Sequence, residues 1–168
     1  ESAYFWEERN EWFSDVWTDV AGERQAIDGD GPRERAGAFP FEVPFRLINM
    51  YSVYGDTVCD PFWGTGTTAT AAMVAARDSV GYELEPGLVD AFDERVGSVP
   101  GLSRSVQSGR LRDHLAFVEA RRDDGDAPGH VSERYGVPVV TRQESEIALY
   151  TVDELRALEG EPDARGRG

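Results

Sequence analysis

Two glycines one residue apart, Gly64 and Gly66, stand between an apolar run ending at Cys59 and a run of small residues from Thr67 to Ala76. A strand that enters a glycine turn and leaves as a helix brings backbone N–H groups to a ligand at the helix N-terminus. Thr57 to Cys59 read as a short buried strand running into Asp60, and the small residues suit a helix lying close against a sheet. Arg77 and Asp78 end that helix. Ser79 to Tyr82 form a second strand, and Leu88, Ala91, Phe92 and Val96 then recur at helical spacing. The expected core is a βαβ unit followed by another helix, which places the chain in the α/β class.

The flanks carry weaker signals. Trp6, Trp12 and Trp17 lie among acids in the first twenty residues, a pattern of short elements packed onto something larger, and Asp28 to Arg35 read as a loop. Pro44 sits where a helix could begin, with Phe45, Leu47, Ile48 and Tyr51 as its apolar face. Beyond Pro100, Leu111, Leu115 and Val118 mark one more helix, and RRDDGDAPG reads as a solvated loop. Val137 to Thr141 and Ile147 to Val152 are expected to be two strands, and EGEPDARGRG a disordered tail.

With 168 residues the chain has room for one core. Its 32 acids outnumber 17 bases for a net charge of −15, and every base is arginine. Such acidity is expected of a halophile, since the Debye length falls to about 3 Å at 1 M salt and the same surface repels itself in dilute buffer. It also argues against a broad DNA-binding face, which needs positive charge. No apolar run approaches the roughly 20 residues of a bilayer helix, so a soluble, cytoplasmic protein is expected. Cys59 reads as a small core residue in a reducing compartment. His114 and His130 lack partners at ligand spacing, so no metal is assigned and both are expected at the surface. Arg104, Arg110 and Arg112 either touch phosphate or form a network of ion pairs, the commoner outcome on an acidic surface.

Three readings compete for DPFWGTGTT, Asp60 to Thr68. A phosphate-binding P-loop needs a lysine after its last glycine, and this chain has none. Gly64, Gly66 and Ala69 fit the dinucleotide pattern G-x-G-x-x-A, with Glu83 near the distance of a ribose carboxylate. Against that second reading stands Asp60, which would repel a pyrophosphate and attract a cationic ligand.

The third reading is a resemblance. DPFWGTGTT is similar to the D-P-F-x-G-x-G-T-T motif of the DNA amino-methyltransferases of the β group, which methylate N6 of adenine or N4 of cytosine from S-adenosylmethionine. The likeness runs from FPFEVPFRLINMYSVYGDTVCD before the motif to ARDSVGYELEP after it. It implies a partial, Rossmann-like methyltransferase sheet with flanking helices, followed by a C-terminal helix and a β-hairpin. Residues 1–38 would be an aromatic and acidic segment with a loop, 39–100 the cofactor-binding core, 101–156 an extension and 157–168 a tail.

In the site so implied, Phe39 flanks the cofactor. Asp60, Pro61, Phe62, Gly64, Gly66, Thr67 and Thr68 form the loop under its methionine part, and Glu83 takes both ribose hydroxyls. Cys59 stands where the family usually has leucine. Competing readings are a core position for Phe39, a surface acid for Glu83 and a loop aromatic without ligand for Trp63.

The family's catalytic signature, [DNS]-P-P-[YFW], holds the target amino group beside a flipped base. All nine prolines here are isolated, so the signature is in no register of this sequence and no catalytic residue is assigned. In the β group that signature precedes the cofactor motif. The resemblance therefore implies a C-terminal part whose DNA-methylating partner is an N-terminal catalytic half or a split partner chain; the rival is a non-catalytic cofactor-binding module that scaffolds or regulates a partner.

Overall fold

The computed structural model describes residues 4–21 and 39–156. The loop expected at Asp28 to Arg35 and the tail expected after residue 156 lie outside the described residues. Strand β1 (Thr57–Asp60) pairs in parallel with β2 (Asp78–Gly81), Thr57 opposite Asp78 and Asp60 opposite Gly81. Helix α3 (Thr67–Val74) forms the crossover between them. This is the βαβ unit of a partial, Rossmann-like α/β sheet.

Helix α3 owes its position to its composition. Ala69, Ala71 and Ala72 are buried, so the helix axis lies close to the strands and to α2 (Glu42–Tyr51). Its end is a Schellman turn in which Arg77 N–H donates to Ala72 O at 2.8 Å and Ala76 N–H to Met73 O at 3.1 Å. Ala76 occupies the left-handed position that usually holds glycine, with φ +57°. Arg77 then turns inward, donating to Ser52 Oγ and O and stacking 4.6 Å from the Tyr54 ring.

One core cluster joins Trp12 of α1 (Trp6–Trp12), Phe45 and Ile48 of α2, Ala71, Ala72 and Val74 of α3, and Val99 at the start of α5 (Val99–Asp123). Helix α2 begins two residues before Pro44. Its Arg46 is buried between Asp19 and Glu11, and its guanidinium holds Asp19 down to about 2. Helix α4 (Pro86–Val96) follows β2 with a proline at its first turn.

Helix α5 begins twelve residues before the expected apolar stripe and runs for 25 residues, about 37 Å at 1.5 Å per residue. The apolar pattern hid it because its buried positions include Ser103, Gln107, Arg110 and His114. Each of these four has a partner: Ser103 Oγ accepts Val152 N–H, Gln107 Nε2 donates to Val74 O, and Arg110 donates to both oxygens of Glu8 at 2.6 and 2.8 Å. His114 lies between Glu7 Oε1 at 2.7 Å and Pro138 O at 2.8 Å, stacked 3.9 Å from Phe5.

Several sequence expectations change. His114 is fully buried, while His130 is exposed as expected. Cys59 and its register partner Val80 are exposed, and β1 is not a buried strand, because α3 packs on one face of the pair and leaves the face bearing Cys59 and Val80 open to solvent. A hairpin is present, but β4 (Pro138–Val139) pairs with β3 (His130–Val131). The expected strand at Ile147 to Val152 is absent. Residues 142–146 form a 3-10 turn instead, and Ile147 packs on Phe5 and Val139. Arg110 belongs to a buried ion pair and is not a phosphate contact, whereas Arg104 and Arg112 are exposed.

Candidate cofactor site

The glycine loop continues the pairing of the two strands past their ends. Tyr82 N–H donates to Asp60 O at 3.0 Å, and Trp63 N–H donates to Tyr82 O at 3.0 Å. Asp60 folds back on the loop, its Oδ1 accepting Phe62 N–H at 3.0 Å. Gly64 and Gly66 both lie in the left-handed region, at φ +55° and +76°, where side chains are disfavoured. Gly66 N–H closes a turn onto Trp63 O, and Gly66 O accepts the first helical bond from Thr70.

Glu83, nineteen residues along the chain from Gly64, meets the loop directly. Its Oε2 accepts Gly64 N–H at 2.7 Å, and its Oε1 accepts Leu84 and Glu85 N–H at 2.8 and 2.9 Å. The N–H groups of Glu85, Gly64 and Leu84 hold the carboxyl below the usual carboxylate range. The acid therefore stays ionised and faces the loop at the carboxyl ends of two parallel strands, where ligands of open α/β sheets bind.

The remaining residues singled out from the sequence fall nearby. Phe39 is exposed and lines a cavity of about 150 Å³ with Thr65, Thr67, Thr70 and Arg95. A core position for Phe39 is thereby excluded. Phe62 is 87% exposed beside exposed Pro61, and Thr68 is half-buried in the first turn of α3. A larger cavity of about 440 Å³ lies away from the loop, between Tyr4, Trp6 and Arg9 on one side and Thr141 and Gln143 on the other. Glu144, in its lining, is already committed to Trp6 N–H and to Thr141.

Sequence reasoning named Trp63 and Phe92 but missed how they pack. The Trp63 ring packs on Gly81 of β2 and, at 4.8 Å, on Phe92 of α4. Phe92 in turn lies under Gly66. The spacing of Phe92 on the inner face of α4 was the signal that drew attention to it. Among the described residues no group of three or more His, Cys, Asp or Glu side chains could hold a metal ion, and no helix is long and apolar enough to cross a membrane.

Parallel strands joined through a glycine loop and a close-packed helix, with an acid at the end of the second strand, define a Rossmann-like α/β domain. The chain belongs to the DNA methylase family of N6/N4 methyltransferases, which matches residues 1–94. It is 50% identical over 150 residues to the type II methyltransferase M.MthZI of Methanothermobacter thermautotrophicus, an alignment covering 89% of this chain and 41% of that protein. It is 46% identical over 98 residues to the type II methyltransferase M.MjaI of Methanocaldococcus jannaschii, covering 57% of this chain and 31% of the relative. The chain thus spans less than half the length of these relatives. A DNA modification methylase from Thermus thermophilus, solved in complex with S-adenosyl-L-methionine, shares 35% identity over 55% of this chain and 33% of that one, with a TM-score of 0.46.

Proposed function

We propose that this chain is the S-adenosylmethionine-binding part of a DNA N-methyltransferase that modifies an exocyclic amino group of adenine or cytosine. The observation that carries the reading is the meeting of the Glu83 carboxylate with Gly64 of the glycine loop, 2.7 Å apart. An ionised acid there can accept ribose hydroxyls, while Asp60, Phe62, Gly66, Thr67 and Thr68 surround the methionine end and Phe39 flanks it. The sign of the charge favours this ligand over a dinucleotide: Asp60, at the end of β1 beside the loop, attracts an ammonium and a sulfonium and repels a pyrophosphate, whereas a ribose carboxylate such as Glu83 suits either ligand.

Methyl transfer needs an acceptor held in line, about 3–3.5 Å from the donor. The amino group of a base is a poor nucleophile, and the polar residue and carbonyl of a Pro-Pro motif would polarise it. With no Pro-Pro dipeptide in these 168 residues, that acceptor site is supplied by residues outside this sequence, on the same or a partner polypeptide. The same absence is the observation favouring the rival reading, a cofactor-binding module that scaffolds or regulates a partner.

Calorimetry with S-adenosylhomocysteine tests the site. Charge-assisted bonds are worth roughly 1.5–3 kcal/mol each, so Glu83→Ala should weaken binding more than tenfold. Unchanged affinity in that variant, or tight NAD binding by the wild type, overturns the assignment. Tritium transfer to mixed-sequence DNA, by the chain alone and with a candidate catalytic half, separates the two readings: incorporation only in the mixture supports the methyltransferase, and none in either supports the module.

A further inference from the structure

We infer that Trp63 and Phe92 are positioning residues that set the spacing between the two ends of the cofactor site. This deepens the reading of the site given above and rests on it. The loop and Glu83 reach the site from different elements, and a cofactor spanning both can bind only if their separation is fixed. Backbone bonds fix it in one direction, through Trp63 N–H on Tyr82 O and Gly64 N–H on Glu83. Two rings fix it in the other.

The evidence for contact is the lack of room at two glycines. A Cβ placed on Gly81 would lie 2.6 Å from Trp63 Cδ1 and 2.7 Å from Cγ, atoms at the root of the ring that no rotation of a flexible end can move aside. A Cβ on Gly66 would lie 2.4 Å from Cδ2 of Phe92. The rings of Trp63 and Phe92 touch each other, with centroids 4.8 Å apart. The contacts therefore run in a chain from the second strand, at Gly81, through Trp63 and Phe92 to Gly66 at the mouth of α3. Phe92 is 7% exposed, so this wedge is a seated one.

The geometry explains why β2 ends in glycine. Gly81 is not in the left-handed region, so nothing in its backbone requires glycine; the Trp63 ring does. Packed between Gly81 and Phe92, Trp63 acts through the loop and Glu83.

The test compares variants of the full chain by calorimetry with S-adenosylhomocysteine and by thermal unfolding. Gly81→Ala and Trp63→Ala should each raise Kd at least tenfold while each variant keeps one cooperative transition. Trp63→Phe, which keeps a ring against Gly81, should stay within threefold of wild type. The double variant Gly81→Ala/Trp63→Ala should bind no worse than Trp63→Ala alone, because the added methyl then meets no ring. If Trp63→Ala fails to fold, Phe92→Leu is the second probe and should weaken binding at least fivefold. Variants that lose thermal stability but bind within twofold of wild type would show a purely structural wedge and overturn the inference alone. Absence of binding by the wild-type chain would overturn both this inference and the cofactor reading.

Discussion

The glycine-loop unit and the α1–α5 interface are held together by opposite means. Residues 57–83 join through backbone bonds and small side chains: alanines let α3 approach the strands, and the loop is fixed by N–H groups of Phe62, Trp63 and Gly64. The interface between α1 and α5 is instead built from long polar side chains. Glu8 pairs with Arg110, Glu7 with His114, and the Arg110 guanidinium also lies over the Trp12 and Phe45 rings. A site that must hold a ligand gains from a backbone frame, which has few alternative arrangements. A contact between segments some hundred residues apart gains from ion pairs, which accept one partner and reject others.

Removing Arg110 should separate the two regions most sharply. Arg110→Met leaves the half-buried Glu8 carboxylate with the Phe5 N–H but without its cation, a loss of about 3 kcal/mol, the lower end for one partner of a buried pair. Thermal unfolding should show a drop of about 10 °C, at 2–4 °C per kcal/mol for a domain of this size. At a temperature where the variant stays folded, its affinity for S-adenosylhomocysteine should remain within about threefold of wild type, because the loop frame does not use Arg110. A drop below about 1 kcal/mol would mean that packing, not the pair, holds α1.

A smaller effect is expected from pH. Burial works against a charged His114, but the bond to Glu7 and the Pro138 carbonyl outweigh it and raise the ring above its ordinary value of 6.5. Both ring nitrogens face acceptors, so the charged form satisfies both. Because the folded-state value is raised, the stabilisation is fully present below 6.5 and fades as pH climbs through the folded value. The melting temperature of the wild type should therefore fall between pH 6 and 9, and that of His114→Gln should be flatter over the same range. Parallel curves would remove the charged clamp from the comparison.

The smallest effect belongs to the loop unit. Ala76 holds a left-handed position at the end of α3, a conformation that costs roughly 1–2 kcal/mol for a residue with a Cβ. After the extra unfolded-state freedom of glycine, Ala76→Gly should stabilise the chain by about 0.5–1 kcal/mol. The melting temperature should rise by about 2 °C. A fall would show that the Ala76 methyl group packs usefully.

The same contrast decides what could be read in advance. The βαβ unit, its strand ends within a residue, the helix over Leu88 to Val96 and the glycine loop were all legible, because each depends on neighbours close in sequence. So was the nearness of Glu83 to the loop, whose Gly64 N–H it accepts. Helix α5 and the burial of His114 were not, since a polar stripe reads as a solvated face until partners such as Glu7, Glu8 and Val74 are brought to it. The expected strand at Ile147 to Val152 failed for a related reason: β-branched and apolar residues there pack individually on Phe5 and Tyr135 and find no strand to pair with.

By itself, then, the sequence determined the local chemistry of this protein: a turn that only glycine fits, a helix thin enough to lie on a strand, and an acid at the distance of a neighbouring strand's end. Only the tertiary structure decided which way the Trp63 ring faces, why Gly81 must be small, and which of the seventeen arginines sits buried against Glu8. Those outcomes depend on which surfaces meet, and side chains far apart in sequence are matched only when the chain has folded.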